Sequence, residues 1–166
     1  ISTANGNFDL SKGKSAELGI KSSVLDGKLD MIGSVYWIEL NDILTRDPNN
    51  INLTVQGGQQ VSRGAEFTAS AVITPQLKAN LGLAWVDAEY KELIEAGGAN
   101  RSGNRPINVP EKVANASLSY QLSTLPITVS GFAKHASGFY TDTANTYFVK
   151  GYTTYDASLA YDLKNV

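Results

Sequence analysis

A glycine-rich stretch with two arginines has the most concentrated binding chemistry in the chain. Residues 97–106 read Gly-Gly-Ala-Asn-Arg-Ser-Gly-Asn-Arg-Pro. Arginine offers a planar fork of N–H donors that suits anionic groups. We therefore predict that Arg101, Asn104 and Arg105 contact an anionic ligand, with a merely solvated loop as the alternative. The stretch is not a phosphate-binding P-loop, because the Gly-Lys-Ser/Thr end of that motif is missing.

The sequence contains no clear pattern of catalytic or metal-binding residues. His135 is the only histidine and cysteine is absent, so there is no set of metal ligands at a known spacing. Charged residues of both signs are spread along the chain, and none form an obvious pair of catalytic carboxylates. We predict that the protein is not an enzyme and that it has no cofactor and no metal site.

Composition narrows the class of protein. The chain has 166 residues, of which 42% are hydrophobic and 18% are charged, with a net charge of −2. Average soluble proteins carry roughly 25% charged residues. This balance gives no electrostatic reason to expect nucleic acid as a partner. No apolar run approaches the roughly 20 residues of a membrane helix.

Residues 77–85 show the structural pattern that would position such a loop. They read Leu-Lys-Ala-Asn-Leu-Gly-Leu-Ala-Trp, so Leu81, Leu83 and Trp85 share one face of a strand while Lys78 and Asn80 share the other. A period of two predicts a strand between two different environments. The second face is small and polar, which is typical of the lumen side of a membrane β-barrel.

The same alternation recurs in long segments along the chain. Each reaches or exceeds the roughly 9–11 residues that a tilted strand needs to cross a bilayer. We predict an all-β fold, an antiparallel up-and-down meander of about seven long strands that forms a segment of a transmembrane β-barrel. The predicted strands are Lys14–Val24, Lys28–Leu44, Gln60–Thr74, Leu77–Lys91, Lys112–Leu122, Ile127–Tyr140 and Tyr147–Leu163.

The connections between these strands alternate in length. In a meander, alternate connections lie at the same rim, so one rim has tight turns and the other has long loops, as in outer-membrane barrels. Tyr147 follows the last long loop, and we predict that it stacks on a ligand. The tight turns are Leu25–Lys28, Pro75–Gln76 and Ser123–Pro126, and the long loops are Asn41–Gln60, Glu92–Pro110 and Thr141–Thr146.

Aromatic residues are predicted to lie near both rims, where membrane interfaces favour amphipathic rings. Ordinary strand propensity is the alternative explanation. The residues near the loop rim are Trp37, Trp85, Tyr90, Phe139, Tyr140, Tyr147 and Phe148, and those near the turn rim are Tyr120 and Tyr161.

Four short stretches occur in an order that resembles one protein family. They contain Glu-x-Gly-x-Lys, Arg-Gly-x-Glu, Gly-Asn-x-x-x-Asn-x-Pro and a late strand ending in Tyr-x-x-Tyr-Asp. The stretches are Ser15–Lys21 with Asp26–Leu29, Ser62–Phe67, Gly103–Pro110 and Asn145–Asp156. Together they resemble the C-terminal part of the barrel in TonB-dependent outer-membrane receptors, and most closely the siderophore-receptor branch.

The resemblance implies a bacterial outer-membrane barrel of about 22 strands around a plug. It implies uptake of ferric siderophores or similar nutrient chelates, with outer loops that contribute to ligand binding. We expect residues 1–166 to be a single partial β-barrel domain, without a plug, a TonB box or the last strands. TonB would then be a partner only through the parent protein's N-terminal part. Outer-membrane lipid would cover one face, and open edges would favour edge-to-edge self-association.

Two other interpretations stay open at the level of sequence. A soluble β-sandwich or jelly-roll module that binds a ligand or carbohydrate also has alternating strands. In that fold, Phe67, Leu83 and Leu118 would converge in one core, whereas in a barrel wall they point outward. A passive porin or an outer-membrane esterase barrel is the third possibility.

Overall fold

The computed structural model describes residues 8–50 and 52–163, and its long strands form one antiparallel sheet. The strands are β1 (Lys12–Val24), β2 (Leu29–Asn41), β3 (Leu44–Arg46), β4 (Thr54–Gln56), β5 (Gly58–Val72), β6 (Leu77–Glu95), β7 (Ala99–Asn100), β8 (Lys112–Gln121), β9 (Ile127–Ala136), β10 (Phe139–Tyr140), β11 (Phe148–Val149) and β12 (Tyr152–Tyr161). A short 3-10 turn, Ala96–Gly98, follows β6. Within the described residues, no helix is long and apolar enough to cross a membrane.

The sheet is the predicted meander of seven long strands. Its order is β1-β2-β5-β6-β8-β9-β12, with β7 paired to the C-terminal end of β6. The seven strands contain between 10 and 19 residues each. Two small hairpins, β3–β4 and β10–β11, stand apart from the sheet within the connections.

Four predicted strand ends were wrong by three residues or more. The fourth strand continues past Lys91 to Glu95, the sixth ends at Ala136 and not at Tyr140, and the other two errors share one cause. The second strand ends at Asn41 and not at Leu44, because Asp42 has a φ of 58° and turns the chain. The last strand begins at Tyr152 and not at Tyr147, because Phe148 pairs with Tyr140 in a hairpin of its own. Both errors lie where a loop carries a short run of strand-forming residues.

Among the described residues, no second layer of structure covers the apolar face of the sheet. Phe67 lies opposite Leu83, and Leu83 lies opposite Ala114, so the large apolar side chains form rows across the strands. Leu83 is 45% exposed and Leu118 is 55% exposed. In a β-sandwich these side chains would be buried between two sheets, so the sandwich interpretation is wrong.

The opposite face carries small polar side chains that bond to one another across strands. The Ser70 hydroxyl donates to Asn80 Oδ1 at 2.8 Å, and Asn80 Nδ2 donates to Ser117 Oγ at 3.1 Å. One row further, the hydroxyls of Ser119 and Ser130 are 2.8 Å apart. This ladder confirms that β6 separates an apolar environment from a polar one.

The tight turns form as the sequence predicts. Asp26 and Gly27 have φ values of 55° and 77°, and the Lys28 N–H donates to the Leu25 carbonyl at 3.1 Å. Positive φ at both central residues is the geometry that an Asp-Gly pair favours in a hairpin.

The buried apolar residues gather at the loop rim. Among the described residues these are Ala88, Tyr90, Leu93 and Ala136. Three of them lie on the part of β6 that continues beyond Trp85. The prediction that Tyr90 lies at a membrane interface was wrong, because its side chain packs beneath the loops and the residue is only 6% exposed.

Gly64 in the Arg-Gly-x-Glu stretch is required by a close approach of two strands. Tyr36 lies directly opposite it on β2. A Cβ atom at Gly64 would lie 2.6 Å from the Tyr36 ring and would also meet the Trp85 carbonyl oxygen. A glycine inside a strand often marks such an approach. The neighbouring Arg63 forms an ion pair with Asp87 at 2.8 Å.

We expect Gly64→Ala to destabilise the intact barrel by about 1–3 kcal/mol, because the added methyl group displaces an aromatic ring and a backbone oxygen. The measurement is the denaturant midpoint in lipid vesicles. Gly131→Ala is the matched control, since a Cβ at Gly131 meets nothing within 4 Å. Equal stability of the two variants would contradict this explanation of the motif.

Candidate ligand-binding site at the loop rim

The glycine-rich stretch is an ordered segment that pairs with the end of β6. The Arg101 N–H donates to the Leu93 carbonyl at 2.8 Å, and the Gly103 N–H donates to the Tyr90 carbonyl at 2.7 Å. The Tyr90 N–H in turn donates to the Asn104 carbonyl at 2.9 Å. Gly103 has a φ of 85°, a conformation that glycine adopts without strain. The backbone of the segment is therefore fixed before any ligand arrives.

Arg101 holds a carboxylate that also binds a second loop. Its Nε donates to Glu95 at 3.0 Å, and the side chains of Arg101 and Glu95 are 28% and 25% exposed. The Thr143 hydroxyl donates to the same carboxylate at 2.9 Å. Glu95 thus joins the segment that follows β6 to the connection between β10 and β11.

Arg105 and Asn104 tie the same two loops together. The Arg105 guanidinium pairs with Glu111, and its backbone N–H donates to Asn145 Oδ1 at 2.8 Å. Asn145 Nδ2 returns a hydrogen bond to the Arg105 carbonyl at 2.9 Å. Asn104 Nδ2 donates to the Thr143 carbonyl at 2.8 Å. We call this network the interloop clasp. It comprises Glu95, Arg101, Asn104, Arg105, Glu111, Thr143 and Asn145.

The clasp changes how the two arginines can act. Each has a carboxylate partner, so neither presents an unpaired charge. A guanidinium has five N–H donors, and one carboxylate takes two at most. The Arg105 side chain is 23% exposed, similar to that of Arg101. Each arginine therefore keeps N–H donors that its carboxylate does not take, while its position is fixed.

Sequence reasoning missed the carboxylate partners, although a signal was present. Glu95 lies six residues before Arg101, and Glu111 lies six residues after Arg105. Acidic residues that flank a basic, glycine-rich loop on both sides can pair with it once the loop folds back. Whether these residues pair depends on how the chain folds back, which a local sequence pattern does not show.

Tyr147 stands exposed beside a turn that one carboxylate organises. Asp142 accepts hydrogen bonds from the Thr146 hydroxyl at 2.7 Å, the Tyr147 N–H at 2.8 Å and the Thr146 N–H at 3.0 Å. These bonds, chiefly that from the Thr146 hydroxyl, lower the pKa of Asp142. Tyr147 itself is 72% exposed. In the adjoining β10–β11 hairpin, the rings of Tyr140 and Phe148 meet edge to face, with centroids 5.2 Å apart.

Tyr90 is a buried, neutral phenol close to Glu95 of the interloop clasp. Burial raises its pKa, and the charge of nearby Glu95 raises it further, while a hydrogen bond with the backbone of Ile107 opposes the shift. A cavity of about 360 Å³ opens above it. Its lining includes Arg46, Tyr90, Leu93, Glu95, Ile107 and Thr143. Glu95 and Thr143 of the interloop clasp line this cavity, whereas the predicted contact residues Arg101, Asn104, Arg105 and Tyr147 are not among its lining residues.

The comparison with known families gives one decisive match. The family described as TonB dependent receptor-like, beta-barrel matches residues 1–166. The chain belongs to this family. Its members are receptors and transporters, so the chain is not an enzyme, as the sequence predicted.

Individual relatives agree with the family. The chain is similar to the ferrichrome outer membrane transporter/phage receptor of Escherichia coli K12, with 31% identity over 98% of this chain and 22% of that protein. It is 26% identical to the ferrioxamine B receptor of Salmonella typhimurium SL1344, over 98% of this chain and 23% of that one. The chain thus spans less than a quarter of the length of these relatives.

A solved structure shows the same fold. The siderophore receptor PiuA from Acinetobacter baumannii superposes with a TM-score of 0.79 and 23% identity. The match covers 99% of this chain and 24% of PiuA. The prediction of a barrel-wall meander is therefore confirmed.

We expect Asp142→Ala to loosen the turn that carries Tyr147, because three donors lose their acceptor. A spin label at Ala144→Cys reports the mobility of this turn, and the chain has no native cysteine to interfere. Asp142→Asn is the matched control, since it keeps one acceptor oxygen without the charge, and an intermediate mobility is expected.

The same label should respond to pH. The pKa of Asp142 is lowered in the folded protein, so its contribution to order is complete above the ordinary value of about 3.9 and is lost as pH falls through the lowered value. The role of this carboxylate in ordering the turn would be contradicted if the mobility of the label did not change with pH and was equal in the wild type and Asp142→Ala.

Proposed function

We propose that the chain forms part of the wall and outer loops of a bacterial outer-membrane receptor that takes up ferric siderophores or similar nutrient chelates. The observation that carries this proposal is the pairing of two features in one sheet. Its apolar face is uncovered, as a lipid-facing wall requires, and one rim bears an ordered loop cluster with paired arginines. The relatives named for ferrichrome and ferrioxamine B support the ligand class.

The exposed aromatic residues support an orientation across the membrane. Trp37 and Trp85 are 38% and 47% exposed near the loop rim, and Tyr120 and Tyr161 are 47% and 57% exposed near the turn rim. Two such belts mark the two interfaces of a bilayer. The loop rim then faces the medium outside the cell, and the tight turns face the periplasm.

We propose that Arg101, Asn104, Arg105 and Tyr147 contact the ligand. The arginines would donate charge-assisted hydrogen bonds to an anionic chelate, and the Tyr147 ring would offer a stacking face. The interloop clasp would hold these groups in place before binding, which reduces the conformational entropy lost on association.

The remaining partners follow from the same proposal. Lipid of the outer membrane would cover the apolar face, and TonB would engage only the parent protein's N-terminal part. In the described sheet, β1 and β12 form the two edges. If the segment is excised, these edges would pair with other copies. A passive porin or an esterase barrel would use neither a plug nor TonB.

We expect Tyr147→Ala in the intact receptor to weaken binding of a ferric siderophore by about three- to ten-fold, through loss of a ring contact. Combining it with Arg101→Ala and Arg105→Ala should weaken binding further. The measurement is equilibrium binding of radiolabelled ferric ferrichrome and ferric ferrioxamine B to isolated outer membranes.

Tyr161→Ala is the matched control, because Tyr161 is similarly exposed but lies at the turn rim. Its binding should equal that of the wild type. Unchanged affinity after alanine replaces Arg101, Arg105 and Tyr147 together would rule out the proposed contacts.

A further inference from the structure

The apolar face carries two basic side chains at the level of Trp85. Lys112 lies directly opposite Trp85 in the pairing of β6 with β8. His135 lies opposite Ala114, one row closer to the membrane centre. Residues that oppose each other in antiparallel strands share a face. Lys112 and His135 therefore point outward with the tryptophan, away from the polar ladder.

Lys112 has no carboxylate partner in the part of the chain that the structure describes. Two acidic groups on the neighbouring strand β6 and the one that precedes Lys112 in sequence are paired elsewhere. Asp87 pairs with Arg63, Glu89 pairs with Lys91, and Glu111 pairs with Arg105. A cation on the outer surface of a barrel is tolerated near an interface and is unfavourable deeper in the bilayer. At the depth of Trp85, Lys112 would lie among lipid headgroups.

A groove runs below these two side chains on the same face. It encloses about 600 Å³, and its lining includes Phe67, Leu83, Trp85, Lys112, Ala114 and His135. The small Ala114 lies between Leu83 and His135 in one row across the sheet, which opens the groove. Glu66 borders it too, but it pairs with Ala84, so its carboxylate belongs to the polar face. The groove is thus basic at its upper end and apolar along its length.

His135 is oriented by a neighbour. Its Nδ1 is 2.9 Å from the Thr153 hydroxyl, which lies opposite it on β12. When that hydroxyl donates to Nδ1, the ring proton is on Nε2, which is left to donate to a ligand. Lysine is a compact cation that binds phosphate well.

We propose that Lys112 and His135 bind the phosphate of a phosphorylated lipid in the outer leaflet, with an acyl chain in the groove below. Such a lipid matches the groove along its length. Its anionic head lies against the basic end, and its hydrocarbon tail lies against Phe67 and Leu83. The inference rests on the proposed membrane placement of the wall. It concerns the outward surface, which the siderophore does not reach.

The test uses the intact receptor in nanodiscs of phosphatidylcholine doped with phosphatidic acid. Native mass spectrometry counts the lipids that remain bound. The wild type should retain phosphatidic acid in preference to phosphatidylcholine. The double variant Lys112→Gln with His135→Gln should retain about five-fold less, as expected for loss of one lysine at a lipid surface. Lys112→Arg should keep the preference, and so should Lys78→Gln on the polar face.

Binding of a ferric siderophore to the same samples separates the two proposals and reports folding. It should be equal in the wild type and the double variant. Equal retention of phosphatidic acid by those two proteins, or no preference in the wild type, would overturn the lipid site alone. Preferential lipid binding by a receptor that binds no siderophore would support the lipid site and overturn the proposed function.

Discussion

A sheet that crosses a membrane must satisfy its backbone hydrogen bonds without water, and this constraint organises the whole chain. Inside hydrocarbon, every unpaired N–H or C=O group is costly, so only helices and closed barrels can span a bilayer. The long strands β1, β2, β5, β6, β8, β9 and β12 pair in one continuous antiparallel ladder, and in the proposed closed barrel the edge strands β1 and β12 would pair with the remaining strands. In the proposed barrel this ladder separates lipid from lumen, and because each strand has two faces, the period-two sequence pattern follows directly.

The same constraint explains where the apolar core lies. A wall one strand thick has no interior, so Leu81 and Leu83 remain exposed while the buried residues Ala88, Tyr90 and Leu93 lie at the loop rim. There, beyond the boundary of the proposed bilayer, the loops can fold over the end of β6 as in a soluble protein. The interloop clasp adds ion pairs and amide hydrogen bonds to this small core. The loop cluster is therefore a rigid structure on which ligand contacts can be positioned.

The sequence predicted the wall well and the loops poorly, and the reason is physical. Alternation at residues 77–85 is local, and so is the Asp26-Gly27 turn, because neighbouring residues set the strand period and the sign of φ. The pairings of Arg101 with Glu95 and of Asn104 with Thr143 depend on how separate loops meet. Strand propensity could not reveal that Phe148 pairs with Tyr140 in a separate hairpin instead of extending the last long strand. The sequence pattern also does not reveal the basic groove, since Lys112 and Trp85 become neighbours only through strand register.

Lipid accessibility along β6 tests most directly the proposal that this strand separates lipid from lumen. Single cysteines at Asn80, Leu81, Gly82 and Leu83 of the intact receptor would each carry a fluorophore, with nitroxide-labelled lipid as the quencher in the surrounding bilayer. We expect strong quenching at positions 81 and 83 and weak quenching at 80 and 82, in a period of two. Equal quenching at all four positions, or the reverse alternation, would contradict it.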